Sequence, residues 1–138
     1  MQNYLFDAFP ILCWLQLEPG CDTVENMLNQ ADNGGITLSM NMINLGEVYY
    51  RICRIASAKK ADEIITKLKL LPIGFISVSD NMIIEAAKIK GKYPVSYADA
   101  FAIAAAIQNK AIIVTADPEY KAVSKLVKIY WLNNLIES

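Results

Sequence analysis

Short apolar runs alternate with amphipathic stretches along this chain. The apolar runs predict strands at residues 3–6, 36–38, 73–78, 111–114 and 127–132. These strands are short and apolar on both faces, and helical patterns separate them. This arrangement is typical of a parallel sheet that helices cover on both sides. The pattern therefore predicts an α/β fold with a central, mainly parallel sheet.

The helical stretches have recognisable start and stop signals. Helices are predicted at residues 22–35, 39–56, 60–70, 80–90 and 96–108, with a short helix opened by Pro118. A capping-box pattern opens the first of these helices, whereas Asp80 caps the fourth and Gly91 stops it. Residues 100–107 are apolar all round, which predicts a helix buried on every face.

Composition sets the scale of the fold and limits its partners. The chain has 138 residues, of which 54% are apolar and 20% charged, and this balance predicts a single globular domain over residues 1–138. The net charge of −1 is uneven, since residues 1–50 contain six acids and no Lys or Arg. This distribution excludes a strongly basic nucleic-acid coat. It allows an acidic pocket beside a basic rim, although ordinary scatter over the surface is an alternative.

The chain contains no histidine, and this absence excludes Ser-His-Asp and Cys-His nucleophilic sites and His-ligated zinc. Its three cysteines, Cys13, Cys21 and Cys53, form neither a C-x-x-C motif nor an even set. They are interpreted as packing residues of a protein in the reducing cytoplasm. We expect no export signal and no membrane span, because the longest apolar run covers only residues 100–107.

Two aspartates follow predicted strands. Asp7 comes directly after the first strand, and Asp117 comes shortly after the strand at residues 111–114. Because the carboxyl ends of parallel strands meet at one edge of a sheet, both acids are expected at that edge. The alternative is that each is a helix cap, since Pro118 follows Asp117 at the first helical position.

Two further acids lie on predicted helices. Asp99 is near the start of the all-apolar helix, where residues 96–99 match a capping box and a dipole-stabilised cap is the alternative. Glu47 shares a helical face with Ile43 and Tyr50. These two side chains make the face too apolar to be open to solvent. The alternative is that Glu47 faces solvent in an ion pair with Arg51.

The glycine that precedes Glu47 is a further signal. Gly46 is unfavourable inside a helix by up to about 1 kcal/mol, which suggests that another group approaches the backbone there.

Four acids at one sheet edge would repel one another. Two carboxylates about 4 Å apart repel by roughly 4 kcal/mol at an effective dielectric constant near 20. Protons or cations must relieve this repulsion. Mg²⁺ or Mn²⁺, held by carboxylates and waters, fits such a set and could activate a water molecule in place of the missing histidine.

Four segments together resemble the motifs of a known family. They are residues 4–8 (YLFDA), 44–50 (NLGEVYY), 96–106 (SYADAFAIAAA) and 113–120 (IVTADPEY). In order and spacing they are similar to the motifs of PIN domains, and most of all to the VapC-like toxins of bacterial and archaeal toxin–antitoxin pairs. The resemblance covers nearly the whole chain. It departs from the family at residues 8–10, where no small hydroxyl residue follows Asp7 and Pro10 comes early in the next helix.

The resemblance implies a three-layer α/β/α sandwich and a Mg²⁺- or Mn²⁺-dependent ribonuclease. It identifies Asp7, Glu47, Asp99 and Asp117 with the acidic metal-binding positions of the family, and Thr115 with a supporting hydroxyl position. It also implies a homodimer that a cognate antitoxin silences.

The main hypothesis is therefore a metal-dependent endoribonuclease. Asp7 and Asp99 would hold the principal metal ion and Glu47 would bind it directly or through water, while Asp117 would complete the site or hold a second ion. A water activated by the ion would attack the RNA phosphodiester. The candidates for contact with the RNA backbone are Arg51, Arg54 and Lys92.

Two other functions stay open at this point. One is a phosphoacceptor signalling module, with Asp7, Asp80 and Thr115 after successive strands. The other is a catalytically inactive PIN-like binding protein. Three aromatic residues, Trp14, Tyr49 and Tyr50, are predicted to be exposed and could contact a partner.

Overall fold

A computed structural model describes residues 1–132, and the predicted domain extends six residues beyond them. The strands are β1 (Gln2–Phe6), β2 (Ile36–Asn41), β3 (Gly74–Ile76), β4 (Ile112–Thr115) and β5 (Ile129–Trp131). The α-helices are α1 (Ala8–Leu15), α2 (Cys21–Asp32), α3 (Met42–Ile55), α4 (Ala58–Leu68), α5 (Asp80–Lys92) and α6 (Tyr97–Asn109). A 3₁₀ helix covers Pro118–Val123.

The five strands form one parallel sheet in the order β3-β2-β1-β4-β5. The chain adds β2 and β3 on one side of β1 and then returns to place β4 on the other side. The carboxyl ends of β1 and β4 therefore flank the point where the strand order reverses, which is the usual ligand position in open α/β sheets. The predicted α/β/α fold with a parallel sheet is confirmed.

Helices cover both faces of this sheet. Successive residues of each strand point to opposite faces, so each strand packs against both helical layers. Leu5 and Ile113 pack against α5, α6 and the 3₁₀ helix, whereas Phe6 and Val114 pack against α1 to α4. Residues 99–106 of α6 are all buried, as the apolar pattern predicted for positions 100–106, whereas Ile107 is 47% exposed and the prediction was wrong there. Among residues 1–132, none of the helices is both long and apolar enough to cross a membrane.

The boundary between β2 and α3 differs from the prediction. The predicted strand at residues 36–38 continues to Asn41, so the helix begins at Met42 and not at Ser39. Ser39 belongs to the sheet, where it pairs with Leu5 of β1. The cap is Asn41, whose side-chain Oδ1 accepts a hydrogen bond from the Ile43 N–H at 2.8 Å.

The predicted ends of two other helices were also wrong. Ser79, and not Asp80, caps α5 by accepting the Met82 N–H, so Asp80 is the first helical residue. Gly91 lies inside α5 instead of stopping it. The cap of α2 is Gly20, and the helix begins at Cys21. The capping-box pattern had placed the cap two residues later, at Asp22.

One helix was not predicted, and two strands are shorter than predicted. Helix α1 was not apparent from periodicity, because its residues are almost all apolar. The predicted strands at 73–78 and 127–132 are each shortened to three residues.

Candidate metal centre

The four predicted acids line one cavity at the carboxyl edge of the sheet. The cavity has a volume of about 240 Å³. Its lining residues are Asp7, Ala8, Phe9, Leu12, Glu47, Arg51, Asp99, Ala116, Asp117 and Pro118. The acids come from four elements or their caps, and the sheet order brings them together although 110 residues separate the first from the last.

Asp7 is buried at the end of β1, with 3% of its surface exposed. Its Oδ1 caps α1 by accepting the Phe9 N–H at 3.0 Å, and its Oδ2 accepts the Thr115 hydroxyl at 2.7 Å. Burial raises the pKa of Asp7 from 3.8 to about 7, although these two hydrogen bonds oppose the rise. The helix cap proposed as an alternative is therefore present, and the same carboxylate lines the cavity.

Thr115 connects two of the acids. While its hydroxyl donates to Asp7, its Oγ1 accepts the Asp117 N–H at 3.1 Å. Asp117 in turn caps the 3₁₀ helix, with Oδ1 accepting the Glu119 N–H at 2.9 Å. The positions of Asp7 and Asp117 are thus fixed through one buried side chain.

Asp99 takes part in only half of a capping box. Ser96 caps α6 by accepting the Asp99 N–H at 3.1 Å, as predicted. The reciprocal bond is missing, because the Ser96 N–H donates to Glu119 Oε2 at 3.2 Å and not to Asp99. The Asp99 carboxylate is therefore free to serve the cavity.

The two oxygens of Asp99 differ in their surroundings. Oδ1 accepts the Tyr120 hydroxyl at 3.1 Å, whereas Oδ2 is buried and has no hydrogen-bond partner among residues 1–132. Burial, followed by the nearby acids Glu119, Asp7 and Asp117, raises the pKa of Asp99 far above its usual value. Burial, followed by the nearby carboxylates of Asp7 and Asp99, also raises the pKa of Tyr120, which keeps that hydroxyl a hydrogen-bond donor.

Glu47 pairs with Arg51 at 3.0 Å, as one of the alternatives predicted. The pair is not open to solvent on both sides, since the side chain of Glu47 is 15% exposed and that of Arg51 is 54% exposed. Ile43 and Tyr50, by contrast, are 37% and 44% exposed, so the apolar character of this face did not predict burial.

The expectation of a close approach at Gly46 was wrong. A Cβ atom at this position would meet no other atom within 4 Å. The glycine therefore leaves open space beside Glu47 and does not accommodate a neighbouring backbone.

Asn44 and Glu119 also belong to the surroundings of the cavity, and sequence reasoning missed both. Asn44 is fully buried and donates from Nδ2 to the Ala98 carbonyl at 3.1 Å, which fixes α3 against the start of α6. One carboxylate oxygen each from Asp99, Asp117 and Glu119 lies within 4.8 Å of the others. The available signal for Glu119 was its place two residues after Asp117, in the first turn of the same helix.

The donor set fits a hard divalent cation. Carboxylate oxygens are the ligands that Mg²⁺ and Mn²⁺ prefer. Leaving a carboxylate oxygen such as Asp99 Oδ2 buried without a partner is costly, and a cation would remove that cost. Burial raises the pKa values of Asp7 and Asp99, so these carboxylates take up protons more readily when no cation is bound.

A second cleft, of about 580 Å³, adjoins the acidic cavity and shares Phe9, Leu12 and Arg51 with it. Arg54 also lines this cleft, with its guanidinium 4.9 Å from the centre of the Tyr50 ring. Two of the three predicted RNA contacts therefore lie beside the acids.

The remaining predicted surface residues lie elsewhere. Lys92, the last residue of α5, is placed over the ring of Tyr93, and it is not among the described residues that line either cavity. Trp14 and Tyr49 were predicted to be exposed but are half-buried, and they donate hydrogen bonds to Glu25 and Asp62.

The geometry gives the phosphoacceptor alternative no site. Strand β3, which precedes Asp80, is at the sheet edge and is separated from β1 by β2. With strands about 4.8 Å apart, β1 and β3 lie roughly 10 Å from each other. Asp80 is exposed on α5 and is not among the residues that line the acidic cavity.

Comparison with known proteins agrees with this geometry. The family model described as PIN domain matches residues 4–126. A search of curated protein sequences found no significant match.

Several solved structures share the fold. DNA-bound VapBC from Salmonella typhimurium superposes with a TM-score of 0.74 at 13% identity, covering 96% of this chain and 99% of that chain. VapBC2 from Rickettsia felis, bound to a promoter DNA fragment, gives 0.71 at 15% identity, with 94% and 98% covered. A toxin–antitoxin complex from Klebsiella pneumoniae gives 0.66 at 12% identity, with 94% and 97% covered.

Proposed function

This chain belongs to the PIN domain family, and from that premise we propose that it is a metal-dependent endoribonuclease. Its substrate is RNA, and its biological role is that of the toxin in a type II toxin–antitoxin pair. The structural neighbours that are toxin–antitoxin complexes support this role, as does the coverage of almost the full length of both chains. A cognate antitoxin is the proposed partner, and a homodimer is the proposed assembly.

One observation carries the proposal. Four carboxylates line a single cavity at the reversal point of the sheet, and the Asp99 Oδ2 among them is buried without a partner. The two buried acids of the set, Asp7 and Asp99, must be protonated or compensated by a positive charge. A divalent cation gives the cluster a function and removes the electrostatic cost.

The residues of the cavity would have different roles in binding the ion. Asp7 and Asp99 would hold the ion, while Glu47 and Asp117 would complete its ligand set. Bound Mg²⁺ or Mn²⁺ supplies an activated water and neutralises charge at the attacked phosphate. Thr115 fixes the orientation of Asp7, and the Tyr120 hydroxyl engages one oxygen of Asp99 and so leaves the other available.

The neighbouring cleft provides a path for the RNA strand. Arg51 lies between the acidic cavity and this cleft, with Arg54 further along it. Two guanidinium groups suit the phosphate backbone, and the exposed Tyr50 ring suits a stacked base. Because the cleft is short and carries few cations, we propose that it binds a single-stranded segment.

The test is cleavage of total cellular RNA by the purified protein, with Mn²⁺ and with EDTA. We expect fragments with Mn²⁺, none with EDTA, and none from Asp7→Asn or Asp99→Asn. Asp32→Asn is the matched control, because Asp32 is an exposed residue at the end of α2. Cleavage that persists in EDTA or in both site variants would contradict the proposal.

The inactive PIN-like binding protein predicts a different result. It would show no cleavage with any metal ion, while it would still form a complex with a cognate antitoxin. Because the active toxin would form the same complex, the cleavage assay distinguishes the two functions, and size-exclusion chromatography of the co-expressed pair checks that the protein is competent to bind.

A further inference from the structure

Glu119 has a position that its sequence context does not explain. It lies in the first turn of the 3₁₀ helix, exposed on one side, and its Oε2 accepts the Ser96 N–H at 3.2 Å. In an ordinary capping box the residue at position 99 would accept that bond. Glu119 therefore replaces Asp99 in the cap, and it does so from a different element.

Because Glu119 accepts the Ser96 N–H, the carboxylate of Asp99 is not needed in the cap. Asp99 is 6% exposed, and its Oδ1 is already engaged by Tyr120. Its Oδ2, released from the capping role, is buried and has no partner. This oxygen belongs to a carboxylate whose nearest acidic neighbours include Asp117 and Glu119.

We infer that Glu119 is itself a ligand of the divalent ion, together with Asp99 and Asp117. The inference rests on the proposed function and extends the set of four acids to five. Glu119 Oε2 is held by the Ser96 N–H, and Oε1 is left for the ion. One side chain thus connects the start of α6 to the metal site.

The spacing allows this arrangement after a small adjustment. Ligand oxygens about 2.1 Å from one Mg²⁺ lie at most about 4.2 Å apart, and the three carboxylate oxygens are within 4.8 Å. The backbone of Asp99 is fixed in α6 and that of Asp117 by its bond to Thr115. Glu119 is the exposed member of the three, so its side chain makes the adjustment.

The experiment is calorimetric titration of the metal-free protein with MnCl₂ in the absence of RNA. Glu119→Gln keeps an oxygen that accepts the Ser96 N–H but loses the charge, and Glu119→Ala loses both. Glu63→Gln is the matched control, since it neutralises a glutamate of α4, on the opposite face of the sheet. Thermal denaturation without metal checks that each variant is folded.

We expect Glu119→Gln to weaken the Mn²⁺ affinity at least about tenfold with an unchanged metal-free melting temperature, and Glu63→Gln to have no effect. Equal affinities in wild type and Glu119→Gln would overturn the inference. In that case, cleavage that still requires Mn²⁺ and Asp99 would leave the proposed function intact. A wild type that neither binds Mn²⁺ nor cleaves RNA would overturn both.

Discussion

The two ends of the same sheet carry opposite chemistry. The carboxyl edge forms the acidic cavity of about 240 Å³, whereas the amino edge forms a larger cavity of about 430 Å³. The larger cavity is lined by Lys110 and Lys128 and by no acidic residue. Size alone would therefore direct attention to the wrong end of the molecule.

Hydrogen bonding distinguishes the two ends better than volume does. At the amino edge, Asn3 donates to the Asn109 carbonyl at 2.7 Å and accepts from the Thr37 hydroxyl at 2.8 Å. At the carboxyl edge, Asp99 Oδ2 and Asn44 Oδ1 are both buried without a hydrogen-bond partner among residues 1–132. Buried polar groups are usually paired, so these two oxygens distinguish the carboxyl edge from the amino edge.

The largest expected difference between the two ends is in RNA cleavage. Asp99→Asn should reduce the cleavage rate at least about 1,000-fold, equivalent to about 4 kcal/mol of lost transition-state stabilisation, because the ion loses a ligand. Asp32→Asn, which makes the same change at the end of α2, should stay within about twofold. Single-turnover assays on a labelled RNA measure both rates, and equal losses would remove the distinction.

The pH dependence of stability comes next. Asp7 has a pKa of about 7 when folded and about 3.9 when unfolded, so the native state binds more protons between these values. The metal-free protein should therefore lose up to about 4 kcal/mol of unfolding free energy as pH rises from 4 to 7. The raised pKa of Asp99 extends this loss above pH 7.

Urea denaturation at a series of pH values measures this slope. Asp7→Asn should flatten it, whereas Asp32→Asn should leave it unchanged. A wild-type protein that becomes more stable from pH 4 to pH 7 would show that the acidic cavity is not electrostatically strained.

Metal binding should reverse part of that loss. Mn²⁺ at about 100 times its dissociation constant should add roughly 2.7 kcal/mol of unfolding free energy at pH 7.5. Asp99→Asn should remove most of this gain, and it should slightly stabilise the metal-free protein by removing repulsion. Thermal denaturation with MnCl₂ and with EDTA gives both values, and a loss above about 2 kcal/mol without metal would contradict the expected relief of repulsion.

The smallest effect compares one hydroxyl at each end of the sheet. Thr115→Val should cost about 1–2 kcal/mol, because it removes the donor to the buried Asp7 and the acceptor of the Asp117 N–H. Thr37→Val, at an exposed hydrogen bond, should change stability by less than about 0.5 kcal/mol. Chemical denaturation of the two variants provides the comparison, and similar costs would contradict it.

The strands and the edge position of the acids were predictable from local pattern. Asp7 follows one apolar strand directly and Asp117 comes shortly after another, and a parallel sheet allows only one edge for both. Helix ends were less predictable, because several polar residues near each end can serve as the cap. Asn41 and Ser79 were selected by tertiary position and not by propensity.

The role of Glu119 was beyond the reach of a local pattern. Its hydrogen bond to Ser96 joins residues 23 positions apart, and nothing in the capping-box motif announces an acceptor from another element. Glu119 lies within the segment that resembles the fourth PIN motif, but the resemblance assigned a metal-binding position only to Asp117 in that segment.

The central position of β1 has a consequence for the order of events during synthesis. Strand β1 is made first, yet its second neighbour, β4, is completed only at Thr115, and Asp117 follows. A nascent chain that ends before this point carries Asp7, Glu47 and Asp99 without the wall that encloses them. The ribosome must therefore deliver nearly the whole described chain before the enclosed carboxylate cavity exists.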